Sequence, residues 1–153
     1  MNATAKVETY AGIDVSKTSL DVGIMGETQV ERYSYDAAGI EAVVEVVQRH
    51  EPRCIVVEAT GDLEKELVTA LVVAGLPVAV GNPKRVREFA RAAGRLAKTD
   101  RLDALILAQF GQVFRPALYQ AQNAAAEQMS AWVSRRKQLV GMLVAEKNRL
   151  KST

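Results

Sequence analysis

Ala11-Gly12-Ile13-Asp14-Val15-Ser16-Lys17-Thr18-Ser19-Leu20-Asp21-Val22-Gly23-Ile24-Met25 is the stretch whose reading decides the fold. A β-rich segment from Val7 to Val15 is followed by the polar break Ser16-Lys17-Thr18 and by a second segment, Leu20 to Met25. In the second, Leu20, Val22 and Ile24 alternate with Asp21 and Gly23, the period of a half-buried strand. After Gly26-Glu27-Thr28, Val30 to Tyr35 adds a third strand. Connections this short imply an antiparallel meander.

Downstream the period changes. Asp36 is a candidate cap for a helix whose apolar residues Ile40, Val43, Val44 and Val47 recur at helical spacing. Arg53-Cys54-Ile55-Val56-Val57-Glu58 is a short apolar run suited to a central strand buried on both faces. Leu63 to Ala74 reads as a second helix, ended by Gly75 and Pro77, and Val78-Ala79-Val80 as another buried strand. Asn82-Pro83 opens a basic helix to about Ala93, and Thr99 is the expected cap of a further helix to roughly Val113, broken at Arg115-Pro116. The order is β-β-β-α-β-α-β-α, an α/β fold with a mixed sheet, and it resembles that of ribonuclease-H-like enzymes. Asn123 to Leu150 reads as one long C-terminal helix with a partial heptad seam of Met129, Val133, Val140, Met142, Leu143 and Leu150, interrupted by Arg136 and Lys147. The expected division is a domain over 1–115 and, over 116–153, a helix that begins a coiled-coil linker or dimerisation segment.

Four carboxylates carry the chemistry. Asp14 and Glu58 each stand late in an apolar strand, where an unpaired charge is costly. In the expected fold those strands are neighbours. Asp100 and Asp103 are three apart, which on a helix places them on one face near its start. Four oxygen donors meeting at one point repel each other unless hard cations neutralise them, and magnesium or manganese suits that donor set. Two such ions, about 4 Å apart, are the established device for phosphodiester chemistry. Beside them, Lys84, Arg85, Arg87, Arg91, Arg95, Lys98 and Arg101 form a basic stretch opposed only by Glu88 and the two aspartates, with phosphate contacts as its natural use.

Composition excludes several other classes. At 153 residues, 48% hydrophobic and 25% charged, the chain can bury a real core and is not a disordered tail. Net charge is only +2, so the position of the basic residues matters more than their sum. One cysteine, Cys54, cannot form an internal disulfide, and with one histidine, His50, it argues against zinc or Cys-His catalysis. No apolar run is long enough to span a bilayer and Met1 to Lys6 leads into no signal-peptide core, so the cytoplasm is the expected location.

Taken in order, Gly12-Ile13-Asp14-Val15-Ser16-Lys17 with Leu20-Asp21-Val22, Glu58-Ala59-Thr60-Gly61, Asn82-Pro83 with Val86-Arg87 and Phe89-Ala90, and Ala97-Lys98-Thr99-Asp100 with Asp103-Ala104 resemble the DEDD transposases of a bacterial insertion-sequence family, kin to Piv-type DNA invertases. The resemblance implies a RuvC-like domain whose metal tetrad is Asp14, Glu58, Asp100 and Asp103, with magnesium (or manganese) as cofactor and DNA as substrate. It implies further a second domain, after a coiled-coil linker, that supplies a serine nucleophile, a structured bridge RNA as guide, and a homodimer or larger homo-oligomer. Ser16, Ser19, Ser34, Ser130, Ser134 and Ser152 offer no substitute nucleophile, so the chain reads as the N-terminal catalytic domain of a longer recombinase. Asp62-Leu63-Glu64 departs from the family's pattern, in which an aromatic residue commonly precedes the glutamate. Two other readings share the strand order. One is a stand-alone Holliday-junction resolvase or ribonuclease using water; the other is an ATP-binding domain of the actin and sugar-kinase type, whose phosphate loops Ser16-Lys17 and Glu58-Ala59 fit poorly.

Overall fold

In the computed structural model, which describes residues 7–94 and 103–152, the opening stretch folds as β1 (Tyr10–Val15) and β2 (Ser19–Ile24), paired antiparallel. Ser16 closes the turn: its Oγ accepts the Ser19 backbone N–H at 3.0 Å and lies 2.7 Å from Ser19 Oγ. A hydroxyl engaged in this way holds the hairpin's register. β3 (Glu31–Ser34) pairs antiparallel with β2, completing the expected meander.

Asp36 caps α1 (Ala37–His50), its carboxylate accepting the Gly39 N–H at 2.7 Å. The chain then crosses to β4 (Cys54–Glu58), parallel to β1 on the side away from β2. α2 (Lys65–Val73) leads to β5 (Val78–Gly81), parallel to β4, and Asn82 caps α3 (Pro83–Ala92) by accepting the N–H groups of Lys84 and Arg85. α4 (Ala104–Phe114) ends on Arg115, which takes a left-handed conformation before Pro116. The Tyr119 N–H then donates to the Val78 carbonyl at 2.6 Å, tying the end of this segment to the edge of the sheet. The five-stranded sheet has the order β3-β2-β1-β4-β5, a mixed ribonuclease-H-like arrangement as expected.

Of the boundaries that differ from the sequence reading, three bear on the argument. β1 begins at Tyr10, not Val7, which is 87% exposed. α2 begins at Lys65, not Leu63, because Gly61 and Asp62 both take positive φ (57° and 75°) and hold the chain off the helical path. The cap of α4 is Asp103, whose carboxylate accepts the Ile106 N–H at 2.8 Å; Thr99 lies outside the described residues. With φ −109° and ψ 170°, Asp103 is extended and precedes the helix, and so is not the first-turn helical residue that its spacing from Asp100 predicts.

The pleat sorts the side chains into two cores. Ala11, Ile13, Val15, Leu20, Val22, Ile24, Ile55 and Val57 face α1 and α2, against Val43, Val47, Leu67 and Leu71. Tyr10, Cys54, Val56 and Ala79 face the other way, against Val86 and Ala90 of α3 and Leu107 and Phe110 of α4. On this second face β1 and β2 present Gly12 and Gly23, and α4 lies directly on them. A Cβ on Gly12 would stand 2.0 Å from the Ala104 carbonyl oxygen, and one on Gly23 would stand 2.9 Å from the Leu105 nitrogen. Phe89, Phe110 and Phe114 interlock α3 with α4, with centroids 5.0 to 5.9 Å apart.

The chain forms two compact units, Met1–Tyr119 and Gln120–Thr153. The second is α5 (Ala121–Lys151), a helix of 31 residues on which Met129, Trp132, Val133, Leu139, Val140, Met142, Leu143, Val144 and Leu150 are exposed. Among the described residues no helix is long and apolar enough to cross a membrane.

Gly12→Ala is expected to cost about 3 kcal/mol or more, the upper end for overpacking, because the obstruction is backbone rather than a movable side chain. Gly141→Ala meets nothing within 4 Å and should stabilise α5 by about 0.5–1 kcal/mol. Urea denaturation of the two variants checks both signs.

Candidate functional site

Asp14 lies two residues after Gly12 and therefore on the same face of β1, the one that α4 covers. Register fixes its neighbours. Asp14 pairs with Asp21 of β2, and Asp21 with Arg32 of β3. On the other side Ile13 pairs with Val57, so the next step along both strands sets Asp14 beside Glu58. At the ordinary strand spacing of about 4.8 Å, Arg32, Asp21, Asp14 and Glu58 make one row across the sheet. The expected adjacency of Asp14 and Glu58 is met.

Glu58 is 8% exposed. Burial in the central strand pushes its carboxyl above the ordinary range, Asp14 pushes it further, and Arg87 of α3 draws it partly back. Among the described residues no hydrogen bond reaches the Glu58 carboxylate. The next turn is nevertheless well anchored: Thr60 Oγ1 donates to the Glu58 carbonyl, and the Thr60 N–H donates to Glu64, itself only 8% exposed. Glu64 therefore positions the loop that leaves the site.

α4 runs back along β1. A Cβ on Gly111 would lie 3.6 Å from Tyr10 and 4.0 Å from Cys54, at the start of the strands, while Ala104 sits over Gly12. The N-terminal end of α4, carrying Asp103, is thus at the end of the sheet where Asp14 and Glu58 stand. Its partial positive charge favours anions there. Asp103 is exposed, and its capping bond leaves the second carboxylate oxygen available. Asp100 lies outside the described residues. Among the described residues no group of three or more His, Cys, Asp or Glu side chains is close enough to hold a metal ion by itself. Asp14 and Glu58 still fit a hard divalent cation: two oxygen donors are forced side by side, and one is buried where its charge is disfavoured.

The basic residues divide. Lys84, Arg87 and Arg91 share one side of α3 at i, i+3 and i+7, whereas Arg85 falls on the other flank with Phe89. Arg87 is partly buried and its field reaches Glu58; Lys84, Arg85 and Arg91 are exposed. Among the described residues none of these four is in an ion pair. Arg95, Lys98 and Arg101 lie outside the described residues. Cys54 is buried core, its thiol pushed up to about 11 by burial, and His50 ends α1 at 3.6 Å from Glu27.

The sequence reading did not single out Asp21, Arg32 or Glu64. Asp21 was legible as the polar partner in an alternating strand, and a tight turn at Ser16-Lys17-Thr18 already sets it opposite Asp14. Arg32 and Glu64 needed the third strand's register and the loop's path, which no local pattern supplies.

Because the folded protein holds the Glu58 carboxyl above its ordinary range, it binds that proton more tightly than the unfolded chain. The resulting stability is present below the ordinary carboxylate range and is lost as pH rises through the folded value. Glu58→Gln is therefore expected to raise the thermal midpoint at neutral pH and to leave it unchanged in acid, a difference that melting curves across pH resolve.

The transposase family model of the DEDD, IS110 type matches residues 11–153. Pilin gene-inverting proteins of Moraxella bovis and Moraxella lacunata are each 24% identical over 148 residues, covering 93% of this chain and 46% of theirs. The chain thus spans about half the length of the curated relatives it matches. Among solved structures, Thermus thermophilus RuvC in complex with a Holliday junction substrate superposes with a TM-score of 0.51 at 18% identity, over 72% of this chain and 99% of that one. A ROK hexokinase from Thermus thermophilus reaches only 0.40 at 16% identity, over 60% and 39%, too distant to bear on function. With the match running from β1 to the end of α5, the chain belongs to the DEDD transposase family of the IS110 type.

Proposed function

We propose that this chain is the N-terminal, metal-dependent catalytic domain of a DNA transposase or site-specific recombinase, which cuts and rejoins phosphodiester bonds. The observation that carries the reading is the pair Asp14 and Glu58, set side by side at adjoining strand ends with Glu58 buried and its carboxyl raised. Family membership and the RuvC-like fold support DNA as the substrate. So do the names of the longer relatives, which describe inversion of a gene.

Asp14, Glu58, Asp100 and Asp103 would hold magnesium, or manganese in its place, as two ions. Bound there, the metal would neutralise the phosphodiester's charge, activate the attacking oxygen and stabilise the leaving one. The protein's own part is positional. Asp14 and Glu58 are fixed by strand pairing, Asp103 by its cap on α4, and the Glu58 loop by Glu64. Lys84, Arg87 and Arg91 would hold nucleic-acid backbone beside the carboxylates, with Arg85, Arg95, Lys98 and Arg101 extending that contact. The attacking hydroxyl would come from a serine in a further domain, in keeping with relatives about twice as long. Ser16, the serine nearest Asp14 in sequence, is engaged in the hairpin turn. A structured bridge RNA is the proposed guide. The apolar side chains on α5 would pair with a second copy, since a helix with that much apolar surface gains by association.

A second reading, a nuclease that uses water, is favoured by the RuvC chain, almost all of which is matched. The two part on one measurement. Robust cleavage of a Holliday junction by this chain alone in manganese would select the nuclease; the recombinase reading expects weak nicking at most.

Asp14→Asn is expected to abolish metal-dependent DNA cleavage and joining in the full-length protein carrying this chain, and retained activity would remove Asp14 from the site. Arg91→Ala should instead weaken DNA binding evenly across sequences and reduce the slope of log affinity against log salt by about 1, as read by binding titrations at several salt concentrations.

A further inference from the structure

Asp14 has a carboxylate neighbour on each side: Asp21 on β2 and Glu58 on β4. Either could share a cation with it, and strand spacing alone does not choose between them. What distinguishes them is Arg32. Tyr33 packs into the core against α1, so Arg32 points to the opposite face, in line with Asp21. Its Nε donates to Asp21 Oδ1 at 2.8 Å and its terminal nitrogen to Asp21 Oδ2 at 3.1 Å, so both oxygens of that carboxylate are taken. No comparable clamp reaches Glu58 among the described residues.

We propose that Arg32 is a positioning residue that keeps Asp21 out of the cation site, so that a divalent metal at Asp14 is shared toward Glu58 on β4 and not toward Asp21 on β2. The inference rests on the reading of Asp14 and Glu58 as metal ligands. Its physics is simple. A carboxylate with both oxygens in a planar fork is a poor further ligand, and the fork's geometry is one that lysine does not reproduce. The guanidinium also offsets the repulsion that Asp14 and Asp21 would exert as directly opposed like charges, and the Asp14 field does reach it. The row thus runs from a forked Arg32–Asp21 pair at the sheet edge to the neighbouring carboxylates Asp14 and Glu58 at its centre. Removing Arg32 should release Asp21 and create a second place, between β1 and β2, where manganese can bind.

Manganese titrations of the purified chain, by calorimetry and by the loss of the free-ion electron paramagnetic resonance signal, test this without any reaction. Arg32→Met is expected to bind one additional manganese per chain, and Arg32→Met with Asp21→Asn to return to the wild-type isotherm. Should Arg32→Met fail to fold by circular dichroism, Arg32→Gln, which retains polarity but not the charged fork, takes its place. An unchanged isotherm for the single variant, or a gain that persists in the double variant, overturns the proposal. The underlying metal reading is tested separately by Asp14→Asn against wild type. Identical isotherms there would remove Asp14 as a ligand of the native site, whatever Arg32 does.

Discussion

The seating of α4 on two glycines governs the rest of this structure. With Gly12 and Gly23 bare, the helix backbone comes down on β1 and β2 to a distance no side chain would permit. That contact fixes where α4 begins, and hence that Asp103 arrives at the end of the sheet bearing Asp14 and Glu58. It also covers the part of that face formed by Gly12 and Gly23. The charge pattern of the site follows from a packing decision made with two missing methyl groups.

Much of this was legible in the chain. The meander and the order of elements follow from period and turn length, and the adjacency of Asp14 and Glu58 from the resemblance of that order to ribonuclease-H-like folds. Asp36 and Asn82 announced their caps, because a short polar side chain before an amphipathic run has few other uses. The misreading at Asp103 has the same root. A carboxylate in a first helical turn and one capping that turn look alike from composition, and only the backbone angles separate them. Likewise the basic stretch was visible, but the division of Arg87 and Arg91 from Arg85 depends on which side of α3 meets the core, here Val86 and Ala90.

The residues that sequence did not single out are those whose role lies in tertiary context. Arg32 stands on a short, mostly exposed strand with no apolar pattern to date its register, yet it controls how one aspartate of the row is held. Glu64 sits in a segment that departs from the family's habit, and it is among the most buried charges described. Both act through another group: Arg32 through Asp21, Glu64 through the backbone of Thr60. The acidic centre is thus supported on each flank by a partner that local pattern does not mark.

One consequence follows from the contact between the Tyr119 N–H and the Val78 carbonyl. An open sheet has two rims, each a row of unpaired amides and carbonyls onto which a stray strand can zip. Here one rim, β5, is only four residues long and has the returning chain laid against its first residue. The opposite rim, β3, is as short and carries exposed Glu31 and Arg32. Neither offers a long, flat, apolar ladder, so the sheet is guarded against runaway strand-to-strand growth.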